Sequence, residues 1–290
     1  MIRTILLIGC GNLGKRYVET IDNNLKNVKI LIVDPYVNFS TLSIKNTCFE
    51  YHKYIDDIKD NYIDLAIFAV CSDIRYTLTV NVIKKFTVKY IIFEKFLFQK
   101  ENDYYEVQSL LKSNNIKSWV NTPRPTYDFY KKIKKHNINL TVSGKNWGLA
   151  CNAIHFIDLF CFLNNSYDIT LEDNNLIVHK SKRKNFYEFY GTIRGKNREN
   201  TLVLKCDKGE KFQLTKTLNE TKIENKNGKL YVDNKVSYKI PYLSEYMHKI
   251  IENILCNDDC GLTKYDNSMK IHLSLLKVLT KYFEGGVLIT

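Results

Sequence analysis

The sequence predicts a two-domain α/β protein. A doubly wound parallel sheet occupies residues 1–122, and an α+β domain on a largely antiparallel open sheet occupies 123–290. Three observations predict it. Up to about residue 120, nearly continuous apolar runs alternate with longer helix-patterned stretches, as in parallel strands covered on both faces. The texture breaks at Pro123 and Pro125. Beyond about residue 166, segments alternate apolar and polar residues with Gly and Asn punctuation, as in antiparallel sheets. The 290 residues are 44% hydrophobic and 13% aromatic, enough for two cores and unlike a disordered chain.

The elements follow in order. "TILLIG", "VKILIVD", "DLAIFAV" and "KYIIFEK" read as strands. Between them "NLGKRYVETIDNN", "HKYIDDIKDN" and "IRYTLTVNVIKKF" read as helices, and "NDYYEVQSLLKSNN" as a helix leading to "IKSWVNTP". This β–α–β rhythm is that of a doubly wound sheet. "TYDFYKKIKKH" then reads as a helix, "INLTVSG" as a strand, and "LACNAIHFIDLFCFL" as an apolar helix. Alternating strands are expected in "YDITLED", "LIVHK", "FYEFYGTIRG", "NTLVLKC", "EKFQLTKTL" and "TKIENKNGKLYVD". Helices near Leu243–Cys256 and Tyr265–Phe283 close the chain and are candidates to pack back on the first domain.

Charge and cysteine usage narrow the class of protein. The net charge is +12, but its lysines are spread along the chain, and the densest run, "KSKRKN" at Lys180–Asn185, reads as a solvated face. No nucleic-acid partner is expected. No apolar run approaches the roughly 18–20 residues of a membrane span, and the short run Ile5–Ile8 breaks into glycines rather than extending into a signal peptide. A cytoplasmic protein without a membrane partner is expected. The 8 cysteines form no CxxC. Cys256 and Cys260 lie close together without a histidine at zinc-site spacing, so reduced thiols and no metal site are expected.

The chemistry-bearing residues begin at Gly9-Cys10-Gly11-Asn12-Leu13-Gly14, a G-x-G-x-x-G between a predicted strand and a predicted helix. Gly9 permits a tight turn, Gly11 lets a pyrophosphate approach the backbone, and Gly14 lets helix pack on strand. The helix start after Gly11 offers Asn12, Leu13 and Gly14 N–H groups to an anion. Asp34 ends the next strand about 20 residues beyond, where a carboxylate accepts from ribose hydroxyls and repels a 2′-phosphate. Together these mark a Rossmann domain that binds NAD in preference to NADP. Cys71 and Ser72 follow the next strand and either line that site or are plain loop residues. Glu94-Lys95 ends a further strand at the crevice of such a sheet.

In the second half, Asn152, His155 and Asp158 share the apolar helix, with Asn152 and His155 on one face. Asn121 and Arg124 lie at the domain junction, where Arg124 either pairs with a substrate carboxylate or phosphate or stands exposed in a turn. Lys145, Asn146 and Trp147 sit at a possible site edge, and Trp147 either stacks on a sugar ring or packs in the core.

The glycine fingerprint, Glu94-Lys95, the helix carrying His155 and Asp158, and "GLTKYDNSMKIHLSLLKVL" together resemble the Gfo/Idh/MocA oxidoreductases over most of the chain. The resemblance implies an NAD(P)-dependent enzyme that moves a hydride between nicotinamide and a sugar or sugar derivative. Lys95 and His155 would be catalytic, with Lys95 also touching the cofactor. Asn121, Arg124, Trp147 and Asn152 would contact substrate alongside them. "EKFLF", "VNTPRP" and "WGLACNAIHFIDLF" are similar to the branch associated with bacterial surface-carbohydrate biosynthesis. The resemblance has two departures. Phe96 stands where the family usually has proline, and Cys151 stands where many members have an aspartate, at i−4 from His155. These departures motivate the alternative of a non-catalytic dinucleotide-binding sensor. An exposed face of the second sheet would support a homodimer or homotetramer.

Overall fold

The computed structural model describes residues 2–38, 42–133, 137–232, 234–283 and 288–289. It is an α/β protein with a parallel Rossmann-like sheet and a second, largely antiparallel sheet. The chain divides into two compact units. The first comprises Met1–Phe98, Asn102–Asn121 and Pro241–Tyr265, and the second Gln99–Glu101, Thr122–Ile240 and Asp266–Thr290.

The first unit runs β1 (Arg3–Ile8), α1 (Asn12–Asn24), β2 (Val28–Val33), β3 (Cys48–His52), β4 (Tyr62–Phe68), α2 (Ser72–Lys85), β5 (Thr87–Phe93), α3 (Glu101–Ser113) and β6 (Lys117–Val120). Its sheet order is β6-β5-β4-β1-β2-β3, all parallel, with the order reversing beside β1. The central strands are buried throughout their apolar runs because helices cover both faces. The segment "HKYIDDIKDN" is not the helix its composition suggests. His52 ends β3, which pairs in register with β2 from Lys29↔Cys48 to Val33↔His52. Only a single 3₁₀ turn, Ile55–Asp57, follows. Strand pairing to a distant partner overrides the local helical pattern here.

The second unit holds α4 (Asp128–Lys131), β7 (Leu140–Lys145), α5 (Leu149–Leu163), β8 (Thr170–Lys180), β9 (Phe186–Asn197), β10 (Asn200–Asp207), β11 (Gln213–Leu218), β12 (Thr221–Lys226), β13 (Lys229–Val232) and β14 (Lys235–Lys239). Its sheet runs β14-β13-β12-β11-β7-β10-β9, with β8 also paired to β9. Among these strands the pairing is antiparallel except that β7 and β10 run parallel. "YDITLED" and "LIVHK" form one strand, β8, with a register shift between Asn174 and Ile177. Asn175 takes a positive φ of 53° in that bulge. The helix expected in "TYDFYKKIKKH" is reduced to a 3₁₀ turn at Arg124–Thr126 and the single turn of α4, and Lys134–His136 lie outside the described residues.

After β14 come α6 (Leu243–Asn257), β15 (Thr263–Lys264), α7 (Tyr265–Thr280) and β16 (Leu288–Ile289). Within the first unit, α6 packs on α1, where the Thr20 hydroxyl donates to Ser244 O at 2.9 Å, and β15 adds an antiparallel edge to β6. In the second unit β16 pairs in parallel with β9.

Candidate functional site

Each glycine of the first loop meets a different environment. Gly9 has φ +91°, and a Cβ there would lie 2.6 Å from Val70 Cγ1 and 2.9 Å from Ala69 O. A Cβ on Gly14 would lie 2.1 Å from Gly9 O, so glycine is what lets α1 start tight against the loop. A Cβ on Gly11 would meet nothing within 4 Å. Gly11 is the N-cap of α1 and supplies no side-chain hydrogen bond, and the first turn contains no acid. The N-terminal N–H groups from Asn12, Leu13 and Gly14 are therefore without a side-chain cap, beside open space and at the positive end of the helix dipole. Cys10 is buried, and burial raises its thiol to about 11, so it is a packing residue rather than a nucleophile.

Asp34 ties this loop to the end of β2. Its Oδ2 accepts from Cys10 N at 2.7 Å, and its Oδ1 accepts from Tyr36 N at 2.8 Å and Val37 N at 3.1 Å. A carboxylate has about four acceptor directions, so capacity remains on Oδ2. Asp34 lines a cleft of about 510 Å³ with Gly9, Tyr36, Tyr54, Ile55 and Ile74. An uncapped helix start, open space at Gly11, an acid with acceptor capacity and a mostly apolar cleft fit an adenine dinucleotide. Of the two residues expected near it, Cys71 is exposed at the N-cap of α2, and Ser72 is buried as the first residue of that helix.

The end of β5 is fixed from beneath. Glu94 is 6% exposed and accepts from the Tyr17 hydroxyl at 2.6 Å and from Asn121 Nδ2 at 2.7 Å. Asn121 Nδ2 also donates to the Tyr17 oxygen at 3.0 Å. Burial raises Glu94 above the usual carboxylate range, and the donors from Asn121 and Tyr17 oppose that rise. Glu94 and Asn121, expected near ligand, thus have their side chains engaged with each other and with Tyr17, while Lys95 is half-buried at the turn they support. The Lys95–Phe96 peptide is cis. The Arg75 guanidinium, fully buried, donates to the carbonyls of Val70, Phe96 and Leu97 and so joins the loops after β4 and β5. Burial lowers Arg75 to about 10. Tyr17 and Arg75 carry no local sequence signal; each is read only once its distant partners are known.

In the second unit, Asn152 and His155 lie on α5 and are half-buried, as is Cys151. The carboxylate of Glu188, on β9, caps the start of this helix by accepting from Ala150 N at 2.8 Å and Cys151 N at 2.9 Å. Gly148, at φ 75°, leaves room for it, since a Cβ there would lie 3.2 Å from Glu188 Oε1. Asp158 is fully buried in the helix. Asn152 Nδ2 donates to Trp147 O at 2.6 Å. Trp147 is buried, donates its indole N–H to Lys205 O at 2.8 Å and meets Phe156 edge-on at 5.6 Å. Of the two readings open for Trp147, core packing is the one its surroundings match. Asn146 Oδ1 accepts from the Tyr190 hydroxyl at 3.1 Å. The guanidinium of Arg124 stacks over the Phe156 ring at 4.4 Å and is half-buried rather than standing free in a turn. Lys95 and the nucleotide-loop residues belong to the first unit, and Arg124, Asn152 and His155 to the second.

No protein-family model matches the chain, and no curated protein matches it. Solved structures share its fold at low identity. The UDP-N-acetylglucosamine 3-dehydrogenase GnnA from Acidithiobacillus ferrooxidans superposes with a TM-score of 0.72 at 9% identity, over 96% of this chain and 97% of that one. The WlbA dehydrogenase from Bordetella pertussis, in complex with NADH and UDP-GlcNAcA, gives 0.68 at 13% identity, over 96% of both chains. A super-repressor mutant of Gal80p from Saccharomyces cerevisiae gives 0.69 at 11% identity, over 97% of this chain and 95% of that one.

Proposed function

We propose that the protein is an NAD-dependent oxidoreductase acting on the carbinol of a sugar or sugar derivative, of the kind used in surface-carbohydrate biosynthesis. The observation that carries this reading is the loop at Gly9–Gly14, where an uncapped helix start faces open space at Gly11 while Asp34 keeps acceptor capacity in the adjoining cleft. When bound, the dinucleotide supplies the hydride-accepting or hydride-donating nicotinamide. The protein's own residues do the rest. The α1 N–H groups hold the pyrophosphate, and Asp34 accepts from ribose and disfavours a 2′-phosphate. Lys95, set by the Glu94–Tyr17–Asn121 lock, hydrogen-bonds the reacting oxygen and stabilises its developing negative charge. His155 takes or gives the proton at that oxygen. The fold shared with dehydrogenases, one carrying NADH and a nucleotide sugar, supports this reading.

The test is NADH fluorescence across nucleotide sugars and free sugars. Lys95→Ala and His155→Ala are each expected to lower turnover by roughly 10²–10⁴-fold with NAD affinity nearly unchanged. Unchanged turnover in both variants would overturn the assignment. The second reading, a dinucleotide-binding sensor, is favoured by Cys151 standing at i−4 from His155, because a thiol is no substitute for a carboxylate beside an imidazole. NAD binding without turnover on any sugar would select it.

A further inference from the structure

Helix α2 buries one stripe, Arg75, Thr79, Val82 and Ile83, spaced as the face of a helix laid on a sheet. Such a stripe is ordinarily apolar, yet its first member is an arginine only 1% exposed. Burial lowers the guanidinium to about 10, so it stays a cation at neutral pH. A charge kept in the interior is costly and persists where its hydrogen bonds are well made. Here they go to main-chain carbonyls just past the ends of two strands. The β4–β5 ladder runs to Phe68↔Phe93, and Glu94 N closes it on Phe68 O at 3.3 Å. Beyond that point the chain leaves the ladder while staying in the interior. Phe96 is 3% exposed, and Leu97 and Phe98 are fully buried. Buried carbonyls need donors. Arg75 supplies them, with Nη1 on Phe96 O and on Leu97 O, the latter at 2.7 Å, and Nη2 on Val70 O. The Tyr104 hydroxyl holds the next residue, donating to Phe98 O at 2.8 Å and accepting from Phe98 N at 3.2 Å.

Lys95 is thereby fixed on both sides. Glu94 before it is held by Tyr17 and Asn121, and Phe96 and Leu97 after it are held by Arg75. From Glu94 to Phe98, Lys95 alone is not buried. The other arm of the guanidinium reaches Val70, a wall residue of the cleft that Gly9 and Asp34 also line. One planar fork thus spans the cleft wall and the Lys95 turn. A lysine has its donors on a single nitrogen and cannot span both. We propose that Arg75 is a positioning residue for the reaction, clamping the Lys95 turn to the wall of the dinucleotide cleft so that the Lys95 amine is presented at a fixed place relative to that cleft. The proposal rests on the oxidoreductase reading and adds a residue that acts only through the main chain. An arginine that merely satisfied buried carbonyls would support the fold and leave Lys95 as it is.

The experiment compares the wild-type full chain with Arg75→Met and Arg75→Lys by two readouts. Trace acetylation with isotopic acetic anhydride, read by peptide mass spectrometry, reports the reactivity of the Lys95 amine and needs no substrate. Lys249, exposed on α6, is the internal reference. Steady-state turnover with NAD across nucleotide sugars and free sugars, counted per NAD-binding site, reports the chemistry. In both variants Lys95 is expected to change its labelling rate severalfold relative to Lys249. The kcat per NAD-binding site is expected to fall roughly tenfold to a hundredfold, as a displacement of about 1 Å gives, with the KM for the sugar little changed. Arg75→Lys keeps the charge without the fork, and it decides the matter should Arg75→Met fail to fold. Wild-type Lys95 labelling in either folded variant overturns the proposal, as does a turnover loss that vanishes once activity is counted per NAD-binding site. Labelling also separates the two claims. A wild-type chain that binds NAD and turns over no sugar sinks the oxidoreductase reading, and the labelling of Lys95 still decides whether Arg75 sets that side chain.

Discussion

Glu94 shows how a single buried acid sets the geometry around it. Its carboxylate has two donors, Tyr17 and Asn121, inside a dry interior. Tyr17→Phe takes one away while leaving the ring in place. It is expected to raise Glu94 further and to cost about 1–3 kcal/mol, measured by urea unfolding at neutral pH. Because burial raises Glu94 in the folded state, its contribution to stability is fully present below the ordinary glutamate range and is lost as pH climbs through the raised value. The loss in Tyr17→Phe should therefore shrink at pH 4. Asp34 provides a second residue-scale test. Asp34→Ala should weaken NAD binding roughly tenfold or admit NADP, read by fluorescence titration with both cofactors. The placement of Gly9, Gly11, Gly14 and Asp34 between β1, α1 and the end of β2 was legible because it follows from local spacing. Tyr17 and Glu94 are 77 positions apart, and the pairing of Lys216 with Tyr130 spans 86. No window of sequence holds both partners, so these contacts emerge only from the folded chain.

At the scale of elements, helices with a full apolar stripe were read to the residue: α1 at Asn12–Asn24 and α5 at Leu149–Leu163. Segments whose state is decided by a partner strand were not. β3 exists because β2 offers an edge, and β14, unread in the sequence, because β13 does. The start of α5 was legible, but its cap was not. Glycine at the N-cap has no side chain to offer, and the acceptor comes from Glu188 on another element. Glu188→Ala leaves those N–H groups without it and is expected to cost about 1–2 kcal/mol, seen as a lowered unfolding midpoint. Because the cap lies one turn before His155, turnover should fall with it, whereas NAD affinity, set in the other unit, should hold.

Across the whole molecule, the pH dependence of stability carries the signature of Lys216. Burial on β11 brings its folded-state value to about 7, below the ordinary 10.5. Between these values the unfolded chain binds more protons, so stability rises with pH over that window. The full cost of the buried charge is felt below 7. Lys216→Met should therefore stabilise the chain by on the order of a few kcal/mol at pH 6 and by little near pH 10.5, checked by thermal melts across that range. The same fold serves dehydrogenases and a Gal80p super-repressor, so architecture alone does not separate enzyme from sensor.

The open space at Gly11 bears on that separation. Gly9 and Gly14 are required by the protein itself, because any side chain would strike its own backbone. Gly11 is different. Its φ of −68° suits any residue, nothing stands where a side chain would go, and an aspartate would cap α1 better than glycine does. Gly11→Asp is expected to stabilise the chain by about 0.5 kcal/mol while abolishing NAD binding. At this one position folding and ligand pull in opposite directions. A lineage that had given up the dinucleotide would be free to drift here towards Asp, Ser or Asn, and would gain stability by doing so. The residue found at position 11 in the protein's nearest kin is thus a historical record: persistent glycine there marks a ligand still under selection.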